Sequence, residues 1–272
     1  MSIAFILRMI SGTLGGNGSS TKPESINSEV ERARHRAAKR ISRARARAEN
    51  ELGNLDRVRI SLMSGDMKKF TSLFAQLKNV DFHDCENLTG LEHFNKERKS
   101  WKELENMSAK ALTLVNMSTA IDAIGFGAGV LDQYAVVPEI RGMEGFNDDE
   151  KDAEALKEMS QRLQNFQQEV KKMCVTLQEI RHQARRSEDA LMDLGDYFED
   201  GIYDIKNILA LKGADWKKYD PAQKILIGRT SQIAHLIRSL SEIRFLNDDL
   251  TVREEILESV DAAEELLDEL GA

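Results

Sequence analysis

Apolar residues recur along this chain at helical spacing, and nowhere in sustained alternation. The most regular stretch covers residues 151–195. One core position there reads Leu156, Leu163, Val170, Leu177, Ala184 and Leu191, and another reads Met159, Phe166, Met173, Ile180, Ser187 and Leu194. A strict seven-residue repeat predicts a long helix with a coiled-coil-like seam that must face another helix. At ~1.5 Å per residue that helix would be about 65 Å long, which predicts an elongated bundle. The stretch 97–124 is its natural antiparallel mate. The helix that carries Arg32 is a candidate third strand, and a second copy of the chain is the other way to cover the seam.

Around this element the same periodicity places further helices. Ser28 followed by Glu31 has capping-box chemistry, so a helix should begin nearby and run to about residue 64. Along it Ala33, Ala37, Ile41, Ala44, Ala48, Leu52, Leu55 and Leu62 share one narrow face. Arg32, Arg36, Lys39, Arg40, Arg43 and Arg47 share an adjoining one. A helix over 66–77 would turn Met67, Phe70, Leu73, Phe74 and Leu77 inward, followed by an irregular connector over 79–89. The glycine- and proline-bearing stretch 132–148 predicts a loop. The heptad helix should close near Gly195, with shorter helices at about 202–211, 221–245 and 251–270, the second of them announced by Asp220-Pro221. The expectation is an all-α fold. A single elongated domain covers 23–272, preceded at 1–22 by an apolar segment and a Gly/Ser-rich linker.

Composition agrees with helices: only three prolines occur, and 6% of residues are aromatic. The formal net charge of −8 conceals two opposed blocks. Residues 32–47 hold eight Lys or Arg and no acid, whereas 248–269 hold ten acids against the single Arg253. Cys85 and Cys174 lie far apart and form no CxxC, which fits a reducing compartment. The apolar opening at 1–10 lacks a basic leading region and is broken by Arg8, so it makes a poor signal peptide. It either packs on the helices or touches a membrane or partner. The expected setting is the cytoplasm, with a peripheral place at the inner membrane as the membrane-bound form.

Candidate chemistry is thin. His83 and Cys85, with His93 nearby and Asp81, Asp84 and Glu86 as further donors, match no zinc spacing, so no metal is expected. Gly125, Gly127 and Gly129 follow no predicted strand, and the linker lacks a phosphate-binding lysine, so neither nucleotide nor other cofactor is expected. No catalytic constellation emerges. The basic face is suited to an anionic membrane surface or an acidic protein partner. Nucleic acid is disfavoured, because the face carries no aromatic residue and the chain is acidic overall. The plainer alternative is that the basic face meets the acidic C-terminal helix within the fold.

One apolar region stands apart. Residues 111–137 are rich in small and aliphatic side chains, and Ile121, Ile124, Phe126, Val130 and Leu131 would form its tip. Asp122 and Asp132 lie within it, and a charge at mid-bilayer costs roughly 2.5–3.5 kcal/mol on insertion scales, which argues against a single spanning helix. A hairpin tip that dips into the bilayer, insertion after oligomerisation, and a buried helix end all remain compatible with these residues.

The run Glu51-Leu52-Gly53-Asn54-Leu55, the stretch from Met67 through Phe70, Phe74 and Leu77 to Val80, and the segments from Tyr219 to Lys224 and from Ile243 to Asp249 resemble bacterial all-helical proteins of a glycine-zipper or chemotaxis-like label. The resemblance covers about a third of the chain. It implies a helical protein with a central glycine-rich apolar hairpin, conditional membrane association and no enzymatic residues. This chain departs from the pattern in the shortness of its apolar centre. The arrangement is also similar, as architecture only, to α-helical pore-forming toxins. The expected function is non-enzymatic membrane interaction through the apolar tip and the basic face. The alternatives are a soluble scaffold or complex subunit and, third, nucleic-acid binding through the Arg-rich helix.

Overall fold

The computed structural model describes residues 23–85, 88, 149–247 and 249–271, the side chains of 23–31, 83–84, 149–160 and 162–163 excepted. All regular elements among them are helical, so the chain is an all-α protein. In order they are α1 (Pro23–Ser64), α2 (Asp66–Phe74), α3 (Asp149–Lys212), α4 (Pro221–Glu242) and α5 (Glu254–Leu270), with short 3-10 turns at Phe82–Cys85 and Trp216–Lys218. The described residues fall into two compact units, 23–46 with 149–177 and 47–85 with 178–271, so α1 and α3 each contribute to both. The proposed antiparallel mate at 97–124 and the apolar tip lie outside the described residues.

In the first unit, Ala37 and Ile41 of α1 and Phe166, Val170, Met173, Cys174 and Leu177 of α3 are buried. In the second unit the seam of α3 continues through Ile180, Ala184, Ser187, Leu191 and Leu194, all buried. Ser187 is tolerated there because its hydroxyl donates to the Gln183 carbonyl at 2.8 Å, within the same helix.

The helix does not close at Gly195, and no separate helix begins at 202. One continuous element runs to Lys212. The seven-residue pattern itself carries on: Phe198 and Ile205 extend the line of Leu191, while Gly201 and Ile208 extend that of Leu194, and the three large side chains among these four are buried. Gly201 thus sits at a seam position as a point of close approach. A Cβ there would fall 2.3 Å from Thr230 Oγ1 and 2.8 Å from Thr230 Cγ2. Thr230, on α4, cannot swing aside freely, since its hydroxyl donates to the Leu226 carbonyl at 2.9 Å. Gly195 is likewise close to α1, with Leu62 Cδ2 at 2.9 Å from where its Cβ would stand.

Two contacts in the second unit set the direction of α1 against α3. Arg181 Nε donates to Glu51 Oε1 at 3.2 Å, and farther along both helices Leu62 meets Gly195. The two helices therefore run parallel, joined through the long stretch between Ser64 and Asp149. A hairpin turn can join only antiparallel neighbours.

Aromatic side chains tie the shorter elements to this pair. Phe70 of α2 lies 5.3 Å from Phe198 of α3 and 5.5 Å from Phe74, centroid to centroid. From Phe74 the series runs to Phe82 at 6.0 Å, to Trp216 at 5.7 Å and to Tyr219 at 6.0 Å. Helix α2 ends at Phe74, short of the expected Leu77, and Leu77 is half-buried. Backbone bonds from Lys78 N–H to the Ala214 carbonyl (2.8 Å) and from Trp216 N–H to the Lys78 carbonyl (3.1 Å) take over beyond it. Helix α4 begins with a complete capping box between Asp220 and Gln223, with Pro221 in its first turn. No helix among the described residues is long and apolar enough to cross a membrane.

The Gly201 contact yields a paired expectation. Gly201→Ala should cost about 1–3 kcal/mol by overpacking, despite alanine's better helix propensity. Gly53→Ala, inside α1 with nothing within 4 Å of its Cβ position, should gain about 0.5–1 kcal/mol. Urea denaturation of both variants checks this, and equal responses would remove the close-approach account.

Acid should weaken the second unit in a defined way. The Asn79 amide bond holds the Asp215 carboxyl below the usual range, with the Lys217 N–H as the next cause. The Gln223 N–H does the same for Asp220, and the Thr251 hydroxyl for Asp249. Because these groups bind protons less readily folded than unfolded, their stabilisation is complete above about pH 4 and is lost as pH falls through the lower folded values. Asp220→Asn keeps a capping acceptor and removes one titration. Its melting temperature should fall less steeply than that of the parent between about pH 4 and about pH 2.

Candidate anionic-surface contact

Across residues 32–47, α1 carries its eight cations without an intervening acid. Arg32, Arg36, Lys39, Arg40, Arg43 and Arg47 recur every three or four residues and are all exposed, as the helical spacing requires. The seam of the same helix is narrow because Ala37, Ile41 and Ala48 fill it with mostly small side chains, which leaves a wide arc to solvent. Arg36 Nε donates to the Arg32 carbonyl at 3.2 Å, which keeps that guanidinium along the helix surface. None of the six is ion-paired with a described acid. The arrangement can neutralise a row of external anions. Its charges repel one another along the helix, since like charges three and four residues apart are mutually unfavourable.

Farther along α1, Arg59 has the opposite environment. It is buried, with Asp56 Oδ1 at 3.7 Å from Nη1 and its Cζ 5.8 Å from the centre of the Phe245 ring. Burial pushes the guanidinium down to about 10 against the opposing pull of Asp56. Desolvation likewise raises the Asp56 carboxyl, against Arg59. Nε and Nη2 of Arg59 have no protein partner. This arginine packs the second unit, and nothing in the spacing of charges along the helix distinguishes it from the exposed ones.

The acidic C-terminal helix is answered in part from elsewhere. Arg186 of α3 donates from Nη2 to Asp261 and from Nε to Glu264, both at 2.6 Å, and its Nη2 also donates to Glu264. These bonds, that to Glu264 first, raise the guanidinium above its ordinary value. Arg186 was not singled out by sequence pattern. Nor was the run of exposed acids on α3 between Asp189 and Asp204, which lies off the seam that dominates that helix's periodicity.

Ile121, Ile124, Phe126, Val130 and Leu131, expected at the tip, lie outside the described residues, as do His93 and the side chain of His83. Cys85 is buried, and its thiol donates to the Lys224 carbonyl at 3.4 Å. Cys174 is buried in the first unit. Among the described residues no group of three or more His, Cys, Asp or Glu is placed to hold a metal ion. Compared with protein-family models, with characterised proteins and with solved structures, the chain matches none.

The two kinds of arginine should part on mutation. Replacing Arg36, Arg40 and Arg43 together by Gln should leave the urea midpoint nearly unchanged, within about 0.5 kcal/mol per site, because these side chains support nothing in the fold. Arg59→Ala should cost about 3 kcal/mol, by removing a packed stem and stranding Asp56. A large loss in the triple variant would assign the exposed face a structural role instead.

Proposed function

We propose that this protein acts by interaction, without chemistry of its own, and that the face of α1 bearing Arg32, Arg36, Lys39, Arg40, Arg43 and Arg47 rests on an anionic membrane surface. The observation that carries the reading is the exposure of all six side chains in a run without acids. Clusters of four to eight basic residues on a helix are worth roughly 1 kcal/mol each beside acidic lipid. An array of phosphates or carboxylates in a plane suits a straight row of cations. The face offers no aromatic residue for base stacking, so nucleic acid would be held by its phosphates alone.

The apolar side of α1 is already used, since Ala37, Ile41 and Ala48 are buried. The helix therefore has no greasy face left to sink into acyl chains, in contrast to an interfacial amphipathic helix. Binding through this face is electrostatic and peripheral. Any salt-resistant component belongs to another element, and the apolar stretch around Phe126 and Val130 is the one the sequence offers.

Co-sedimentation with vesicles separates these contributions. Wild-type protein should bind vesicles containing phosphatidylserine at about 0.05 M salt and release most of it at about 0.5 M, where the screening length shrinks to a few ångströms. The Arg36/Arg40/Arg43→Gln variant should bind about a hundredfold more weakly. Phe126→Ser with Val130→Ser should remove only salt-resistant binding. Equal binding to neutral and acidic vesicles, or none to either, would sink the membrane reading and direct attention to an acidic protein partner.

A further inference from the structure

The second unit carries a counterpart to the basic face. Between Asp189 and Asp204, α3 holds six acids and no base. Asp193, Asp196, Glu199, Asp200 and Asp204 are exposed and recur every three or four residues on the side away from the buried seam. Two large apolar side chains stand among them in the open, Met192 at 53% and Tyr203 at 64% exposure. Glu199 feels Lys69, which is itself hydrogen-bonded to Asp66, and Asp189 has only an exposed Arg185 at 3.7 Å. No described base pairs with Asp193, Asp196, Asp200 or Asp204. Like the basic row, this one repels itself along its helix.

We infer that the basic face of α1 on one copy of this chain pairs with the acidic face of α3 on a second copy. The two rows are opposite in sign, eight cations against six acids, and equal in extent. Each spans fifteen residue steps, about 22 Å of helix. Met192 and Tyr203 give the acidic row apolar contact surface, and the Tyr203 ring offers a guanidinium a face to stack on. The acids of α5 are the weaker fit. Asp261 and Glu264 are engaged by Arg186, and no large apolar side chain is exposed there among the described residues.

The net charge of −8 opposes association at long range. At about 0.1 M salt the screening length of about 10 Å weakens that repulsion, while charges in contact still attract. Because unlike faces meet, the contact is heterologous, and the species grows with concentration unless its geometry closes. That this pairing withholds the basic face from a membrane rests on the membrane reading above. The pairing itself does not.

Sedimentation velocity of the full chain without vesicles tests the inference. At about 0.05 M salt and about 100 µM protein the mass should rise above the 30.7 kDa of one chain, and it should fall back at about 0.5 M. Arg36/Arg40/Arg43→Glu and Asp193/Asp196/Asp200→Lys should each weaken association at least about tenfold alone. Mixing an Arg36/Arg40/Arg43→Glu chain with an Asp193/Asp196/Asp200→Lys chain sets the kept acidic row of the first against the kept basic face of the second, and the two reversed faces are opposite in sign as well, so the mixture should restore a complex, which also shows that both are folded. A monomer at low salt, association that survives the Lys variant, or a mixture that stays monomeric would overturn the pairing. Vesicle binding by a wild-type chain that proves monomeric would leave the membrane reading standing alone. Pairing without vesicle binding would do the reverse.

Discussion

The described structure is organised by the buried seam of α3, an apolar position recurring every three or four residues from Phe166 to Ile208. A helix cannot leave such a stripe in water, so neighbours must be laid along it. In the second unit α1 lies along it in parallel, α4 reaches it at Gly201, and Arg186 beside the seam gathers α5 through Asp261 and Glu264. The aromatic series from Phe70 to Tyr219 then closes the same unit around Phe198. Both charge rows lie on the exposed sides of α1 and α3, away from that seam.

Close approach is the means by which the seam admits its neighbours. Alanines in α1 and glycines in α3 remove side-chain bulk where two backbones meet, and Thr230, held by its own helix, fills the space that Gly201 leaves. Small residues on a helix thus have two physical meanings. In isolation glycine weakens a helix that alanine favours, and against a neighbour both set the distance at which it packs.

That ambiguity explains what was and was not legible in the chain. Among the described residues, periodicity identified α1, α2, α4 and α5, the seam of α3 and the exposed face at Arg32, Arg36, Lys39, Arg40, Arg43 and Arg47, because a period of 3.6 reports which side of a helix is wet. It did not identify continuity through Gly195 and Gly201, where glycine's low propensity suggested an end although the seven-residue line ran on to Phe198, Ile205 and Ile208. Direction was also hidden. A stripe marks the face that must be covered and is silent on whether the partner runs parallel or antiparallel, which became visible only through Glu51 with Arg181 and Leu62 with Gly195. Arg59 was indistinguishable from the exposed arginines, since its burial arises from Phe245, a residue remote in sequence.

Elsewhere this chain handles surface charge in the ordinary manner. Lys172 pairs with Glu169, Lys69 with Asp66 and Arg238 with Glu242, each three or four residues apart on one helix. Such mixing keeps a surface soluble and supports the helix beneath it by a few tenths of a kcal/mol per pair. Among the described residues, Arg32, Arg36, Lys39, Arg40, Arg43 and Arg47 of α1 and Asp193, Asp196, Asp200 and Asp204 of α3 forgo that support and add repulsion of similar size. Solubility does not require this, because interspersed charges would supply it at lower cost. A row of one sign is favourable only when a counter-charge is brought to it from outside the helix. The cations of α1 and the acids of α3 therefore both point to partners, and each is the kind of partner the other requires.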